Sequence, residues 1–270
     1  MRETETSSIV PAERARHRRR ARGREGLTRR HHQHQRYAKH ARTLSPSPCH
    51  ERYIAPMADQ DSRAGTRYTT PAILDYVNTT HVPHDAALAR AFTVPEGVPA
   101  IQVGPSDGRT VHLLIKLAGA TKIVEVGTLI GYSAIHMARA MKPGGKLWTI
   151  EFEPKHAEIA RGNLDAAGLA NVEVLVGASR DVLPTLVTHG PFDVVFIDAD
   201  KNNYDFYGQW AIDNLRQGGL VIGDNAYLFG ELLDDTERGR AMRGFHELVA
   251  KHCDSVCVPT PDGLVVGVKR

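Results

Sequence analysis

Two apolar runs in this chain end in residues that could do chemistry. FDVVFI (192–197) is followed by Asp198-Ala199-Asp200-Lys201, and GGLVIG (218–223) is followed by Asp224-Asn225. If both runs are buried neighbouring strands, their carboxyl ends bring Asp198, Asp224 and Asn225 into one crevice. Two carboxylates and an amide are hard oxygen donors, suited to Mg²⁺ or another divalent cation that keeps positions open for water or substrate. No His/Cys constellation competes for a softer metal. Lys201, three residues after Asp198, would lie beside that cation. A nearby positive charge favours the neutral form of an amine, and a neutral amine can take a proton. Such a set would bind an acceptor hydroxyl, acidify it, and remove its proton, so that Lys201 and Asp198 are the catalytic candidates. Asp200 reads as a bystander that faces solvent or caps the following helix.

A second pair of acids belongs to a ligand. The run KIVEV leads into Glu125-Val126-Gly127-Thr128-Leu129-Ile130-Gly131-Tyr132-Ser133. This turn is glycine-bearing but is neither G-x-G-x-x-G nor a P-loop, which excludes the usual dinucleotide and triphosphate cradles. Those cradles hold phosphate at a helix N-terminus; here Glu125 would repel it, and a cationic ligand suits the turn better. The next strand, KLWTIE, ends in Glu151, placed to accept both hydroxyls of a ribose. Ribose plus positive charge, without phosphate, describes S-adenosylmethionine (SAM). The bland alternative is a strand–helix turn with no ligand, and Glu151 at the second strand end argues against it. A nicotinamide dehydrogenase is disfavoured by the missing fingerprint, and a non-catalytic binding protein by the Asp198/Lys201/Asp224/Asn225 set.

The elements that must position these residues follow from the punctuation. Two short amphipathic helices (TTPAILDYVNTTH, PHDAALARAF) and a longer one (PSDGRTVHLLIKLAGA) precede a strict alternation of strands and helices. The strands are KIVEVG, KLWTIE, VEVLVG, FDVVFID and GGLVIGD. SVCVPT and LVVGVKR close the chain around Pro261-Asp262-Gly263 as a hairpin. Near-continuous apolar strands alternating with helices imply an α/β fold: a mostly parallel, doubly wound sheet with a C-terminal antiparallel hairpin. Ligands then bind beyond the carboxyl ends of the strands, near the switch point. His136, Trp148 and Trp210 read as packing residues, and His246 and His252 as surface positions of a late helix.

Charge is unevenly distributed. Residues 1–56 hold 14 Lys+Arg against 5 Asp+Glu, while the remainder holds 20 against 26. The basic segment lacks apolar periodicity and is expected to be disordered. Three readings of it compete: a nucleic-acid-binding arm, a transit peptide weakened by its four glutamates upstream of Arg29, and translated sequence upstream of a natural start at Met57, which is favoured. The folded domain is placed at 57–270. Three cysteines are too few for a disulfide framework, so a reduced, cytoplasmic setting is expected. No run of about 18 apolar residues is present to span a membrane.

At this point the sequence resembles the cation-dependent class I SAM O-methyltransferases, the group of catechol and caffeoyl-CoA O-methyltransferases, in its bacterial small-molecule style. The resemblance covers residues 100–230 and rests on IQVGPSDG (101–108), VEVGTLIGYS (124–133), WTIE (148–151), VGASRDVL (176–183), FIDADKNNYDFY (196–207) and GDNAYLFG (223–230). It implies a Rossmann-like class I methyltransferase fold, with Asp198, Asp224 and Asn225 as metal ligands and Lys201 as general base. It implies that Glu125, Gly127 and Ser133 contact the methionine part of the cofactor, with Thr128 in the same turn. Glu151 matches the ribose-binding acid, Ala178 and Ser179 the adenine surroundings, and Val103 and Asp198 positions between cofactor and acceptor. The implied acceptor is a hydroxylated aromatic small molecule, and the implied assembly a homodimer in which helices before Thr121 could supply the interface. A hydroxylated tRNA base is the alternative acceptor, motivated by the basic tail and opposed by the acidic body. AYLFG after Asn225 departs from the Thr-Leu-Trp type of many relatives, so Tyr227, Leu228 and Phe229 are expected to shape a different acceptor pocket.

Overall fold

The computed structural model describes residues 69–270. The basic extension over 1–56, the start at Met57 and the first residues of the expected domain lie outside the described residues. Three helices come first: α1 (Pro71–His81), α2 (Ala86–Phe92) and α3 (Pro105–Ala118). Each begins as its sequence dictates. The Thr70 hydroxyl accepts from the Ile73 N–H and the Asp85 carboxylate from the Leu88 N–H, while α3 opens on Pro105. Side-chain oxygens and an early proline suit a helix start because the first N–H groups have no intrahelical partner.

The alternation follows as β1 (Lys122–Val126), α4 (Tyr132–Ala140), β2 (Lys146–Glu151), α5 (Pro154–Ala166), β3 (Val172–Val176) and α6 (Ser179–Leu186). It continues with β4 (Phe192–Ile197), α7 (Tyr204–Asn214), β5 (Leu215–Gly223), α8 (Glu237–His252), β6 (Cys253–Val258) and β7 (Leu264–Lys269). The seven strands form one sheet in the order β3-β2-β1-β4-β5-β7-β6. The first five are parallel, and the β6–β7 hairpin adds two antiparallel strands at the β5 side. The doubly wound sheet with its closing hairpin is thus as the sequence implied.

Strand residues alternate between two apolar layers. Ile123, Leu147, Val194, Phe196 and Ile222 pack with α2–α5 on one face. Val124, Ile150, Val195, Ile197 and Val221 pack with α6, α7 and α8 on the other. Burial on both faces is what selects continuous apolar runs over polar–apolar alternation. One boundary differs from expectation: β5 begins at Leu215, not Gly218. Leu215 pairs with Phe192, after which the register shifts until Val194 meets Leu220. The extra residues form a bulge, which the polar RQGG stretch disguises as a loop. Among the described residues no helix is long and apolar enough to cross a membrane.

Candidate active site

The winding direction reverses between β1 and β4, the position where open α/β sheets bind ligands. There the strand ends are stitched in a row by backbone bonds. Gly127 N–H donates to Ile150 O (3.0 Å), Asp198 N–H to Val126 O (2.8 Å), and Asp224 N–H to Ile197 O (2.9 Å). The residues singled out from sequence therefore stand side by side. Gly127 is what lets β1 and β4 close up: its φ is +99°, and a Cβ there would lie 1.9 Å from Asp198 O.

Glu125 is fully buried. Its carboxylate accepts from the Ser133 hydroxyl and from Thr149 Oγ1, the latter at 2.5 Å. Burial pushes it up to about 8, with the charges of Asp198 and Glu151 adding to the rise. Thr149 Oγ1 also meets Thr128 Oγ1 at 2.5 Å. Since the Thr149 hydrogen goes to Glu125, Thr128 is the donor, and its hydroxyl is turned into the protein as a support for Glu125. Glu151 accepts the Leu129 N–H (2.7 Å) and the Glu153 N–H (3.0 Å), which leaves lone pairs for further donors. Leu129 takes a left-handed backbone (φ 49°) to reach it. Ala178 and Ser179 open α6, and the preceding Gly177 N–H donates to Glu151 O (2.9 Å), so they adjoin the β2 end. Val103 lies in the apolar layer just before α3.

On the other side, Lys201 Nζ donates to Asp198 Oδ1 (3.0 Å), Ala199 O (2.8 Å) and Tyr204 OH (3.1 Å). Asp224 is buried, and its Oδ1 has no hydrogen-bond partner. Burial, then the neighbouring Asp198 charge, pushes the Asp224 carboxyl well above the usual carboxylate range. A buried carboxylate oxygen without a partner, beside a second carboxylate, is costly unless a cation or a proton compensates it. Asn225 follows with φ 53°, a backbone that asparagine tolerates better than most residues. The donor set of Asp198, Asp224 and Asn225 therefore fits a hard divalent cation. Among the described residues no group of three or more His, Cys, Asp and Glu forms a separate metal centre. The loop after Asn225 is pinned by Ala226 N–H to Gly263 O (2.9 Å) and Tyr227 N–H to Asp262 O (3.0 Å).

Three placements were not foreseen. His246 is half-buried, not on the surface, and its Nε2 meets Ala226 O at 2.9 Å, because α8 packs its polar seam against the site loop. Asp107 in the first turn of α3 is a buried carboxylate whose Oδ1 has no partner; burial, then repulsion from Asp262, pushes it up to about 6. Phe152, just past Glu151, exposes its ring. A first-turn acid reads as a helix-dipole partner, so nothing marked Asp107, whereas an aromatic after a strand-end acid was a usable signal for Phe152. Asp200 is exposed as expected, and it holds its own loop by accepting from Tyr207 OH (2.5 Å) and from the Asn203 amide. His136, Trp148 and Trp210 are buried packing residues, and Cys253 and Cys257 lie four residues apart on one face of β6 as free thiols.

A Rossmann-like sheet carrying an acid at the β1 and β2 ends and Asp, Asp-Asn at the β4 and β5 ends defines a class I methyltransferase. The chain belongs to the O-methyltransferase family, whose pattern matches residues 83–269. It is 43% identical over 190 residues to a catechol O-methyltransferase of Niastella koreensis, covering 69% of this chain and 86% of that protein. It is 42% identical over 175 residues to a catechol O-methyltransferase of Mycobacterium tuberculosis, covering 64% and 79%. Among solved structures it resembles an O-methyltransferase from Bacillus cereus in complex with SAH (36% identity, TM-score 0.71, 74% of this chain and 97% of that one). It also resembles the O-methyltransferase TomG of Streptomyces achromogenes in complex with SAM (36% identity, TM-score 0.69, 73% and 96%).

Proposed function

We propose that this chain transfers a methyl group from SAM to a hydroxyl of a catechol-like aromatic, with Asp198, Asp224 and Asn225 holding Mg²⁺ or another divalent cation and Lys201 as general base. The observation that carries the reading is the unpartnered, buried Asp224 Oδ1 beside Asp198 and Asn225, with only β4 between it and the Glu125 turn. The names of the catechol O-methyltransferase relatives support the acceptor class, and the SAH- and SAM-bound neighbours support the methyl donor.

The residues divide the work by position. Glu125, held by Ser133 and Thr149 behind Gly127, would give up its proton beside the cationic methionine end of SAM and so supply its counter-charge. Glu151 takes the ribose hydroxyls, Ala178 and Ser179 border the adenine, and Val103 closes the site from the α3 side. Thr128 contributes by steadying the carboxylate. Asp198 lies between the Glu125 turn and Asp224, so it borders donor and acceptor alike. When bound, a divalent cation would supply the positive charge that makes the acceptor hydroxyl more acidic. Lys201, in the neutral amine form that a neighbouring cation would favour, takes the proton that leaves that oxygen, and Asp198 Oδ1, Ala199 O and Tyr204 OH hold Nζ at the β4 end. Much of the rate would come from holding the oxygen in line with the sulfonium methyl. Leu228 and Phe229 follow Asn225 in left-handed backbone, with Phe229 exposed, and would shape the acceptor side. The protein would act in the cytoplasm as a homodimer.

The test is methyl transfer from SAM to catechol with Mg²⁺ and with excess EDTA. Activity should disappear in EDTA and return with Mg²⁺. Asp224→Ala should lose activity with SAH binding retained, and Lys201→Met should lower kcat by about 10²-fold or more. Undiminished turnover in EDTA would overturn the cation-assisted reading, while leaving the methyltransferase assignment intact.

A further inference from the structure

The last backbone bond between β4 and β5 at the site is Asp224 N–H to Ile197 O (2.9 Å). Beyond it the two chains diverge, one into the Asp200 loop and the other into the Asn225 loop. Something else must set the separation of the two carboxylates. Tyr204, in the first turn of α7, occupies that position. It is fully buried, and its ring meets Phe245 edge to face at a centroid distance of 5.5 Å. Its hydroxyl lies 2.8 Å from Asp224 O and 3.1 Å from Ile197 O, the carbonyls of one carboxylate residue and of the residue preceding the other. The same oxygen accepts from Lys201 Nζ at 3.1 Å.

We propose that Tyr204 is a positioning residue that clamps the β4 and β5 ends at the spacing a small divalent cation requires and holds Lys201 beside them. The inference rests on the reading of Asp198, Asp224 and Asn225 as a cation site. A phenol ring locked by packing is a rigid strut, and its one hydroxyl serves two carbonyls and an amine whose side chains or neighbours face the reaction. Removing it takes that donor from Asp224 O, leaves Ile197 O with the Asp224 N–H, and loosens the tie between the two ends. Small cations feel such relaxation most. Mg²⁺ demands near-octahedral geometry at about 2.0–2.1 Å, whereas Ca²⁺ accepts about 2.3–2.6 Å in flexible arrangements. Tyr204 therefore tunes both affinity and size preference, in the way outer residues orient metal ligands elsewhere.

The experiment compares the full chain with Tyr204→Phe and Phe245→Leu. Mg²⁺ and Ca²⁺ binding are measured by calorimetry, bound Mn²⁺ by its electron paramagnetic resonance spectrum, and SAH binding as a control. Tyr204→Phe should weaken Mg²⁺ by about tenfold or more, weaken Ca²⁺ less, broaden the bound Mn²⁺ spectrum, and leave SAH affinity unchanged. Phe245→Leu, which disturbs the ring's packing but keeps the hydroxyl, should lower the melting temperature while keeping the Mg²⁺ preference. Unchanged Mg²⁺ affinity in Tyr204→Phe, or the same loss of preference in Phe245→Leu, would overturn the proposal and leave the cation site standing. A wild-type chain that binds SAH but no cation would overturn the cation site itself, and this inference with it. If Tyr204→Phe no longer binds SAH, the hydroxyl supports the fold at large, and the positioning role is refuted.

Discussion

Glu125 is held in an environment that disfavours its charge, and that has a measurable sign. Its ordinary value is 4.5 and burial lifts it to about 8 in the fold. Between those values the unfolded chain is ionised while the folded one keeps its proton, so unfolding releases a proton. Stability contributed by this group is present below about pH 4.5 and is lost as pH rises toward 8. Glu125→Gln keeps partners for Ser133 and Thr149 but removes the titration. Thermal melts of the ligand-free protein should show the variant gaining on wild type from pH 5 to pH 8, while SAH binding at pH 8 weakens by about tenfold. Equal melting curves at both pH values would contradict the burial argument. The acids and Lys201 were legible in the sequence because each follows an apolar run, which marks a strand end. Thr149 and Tyr204 were not, since a threonine in WTIE reads as an ordinary strand former and a tyrosine in YDFYGQW as helix packing. Their hydroxyls matter through partners 24 and 20 positions away, and no local pattern announces those.

At the level of elements, the site depends on how closely strand ends approach. Gly127 is required for two separate reasons, a φ of +99° and the contact a Cβ would make with Asp198 O. Gly127→Ala must therefore push β1 and β4 apart where Glu125 and Asp198 act, since backbone cannot yield as a flexible side chain does. We expect a loss of about 3 kcal/mol in stability, measured by urea unfolding, together with near-complete loss of SAH binding and methyl transfer. Gly144→Ala, also at positive φ but with open space around its Cβ, should cost far less and leave SAH binding intact. Strand order and hairpin were legible because both rest on apolar runs and turn residues. The start of β5 and the role of His246 were not. A bulge hides in RQGG, and His246, one turn from the buried Met242 and Val249, reads as a surface position because histidine is polar.

Across the described residues as a whole, apolar side chains are left uncovered on α1, α3 and the segment between them. Leu117 is 84% exposed, Tyr76 and Ile101 each 70%, and Leu113 and Ile73 are exposed as well. Leu113 and Leu117 stand one turn apart on the same side of α3. Other large apolar residues are exposed singly elsewhere, among them Phe152, Phe229 and Leu233, but these five gather on α1, α3 and the segment between them, where burial remains to be gained. A second copy is the partner that the expected homodimer supplies, since self-complementary two-fold pairing is the commonest assembly. Leu117→Glu places a charge in the middle of such a face, where it would be desolvated without a counter-charge. Size-exclusion chromatography with light scattering should find wild type at twice the chain mass and Leu117→Glu at the chain mass, with SAH binding retained because the Glu125 turn lies at the opposite end of α3 from Leu117. A wild-type chain that elutes as a monomer at assay concentration would remove the dimer. A variant that stays dimeric would move the interface away from α3.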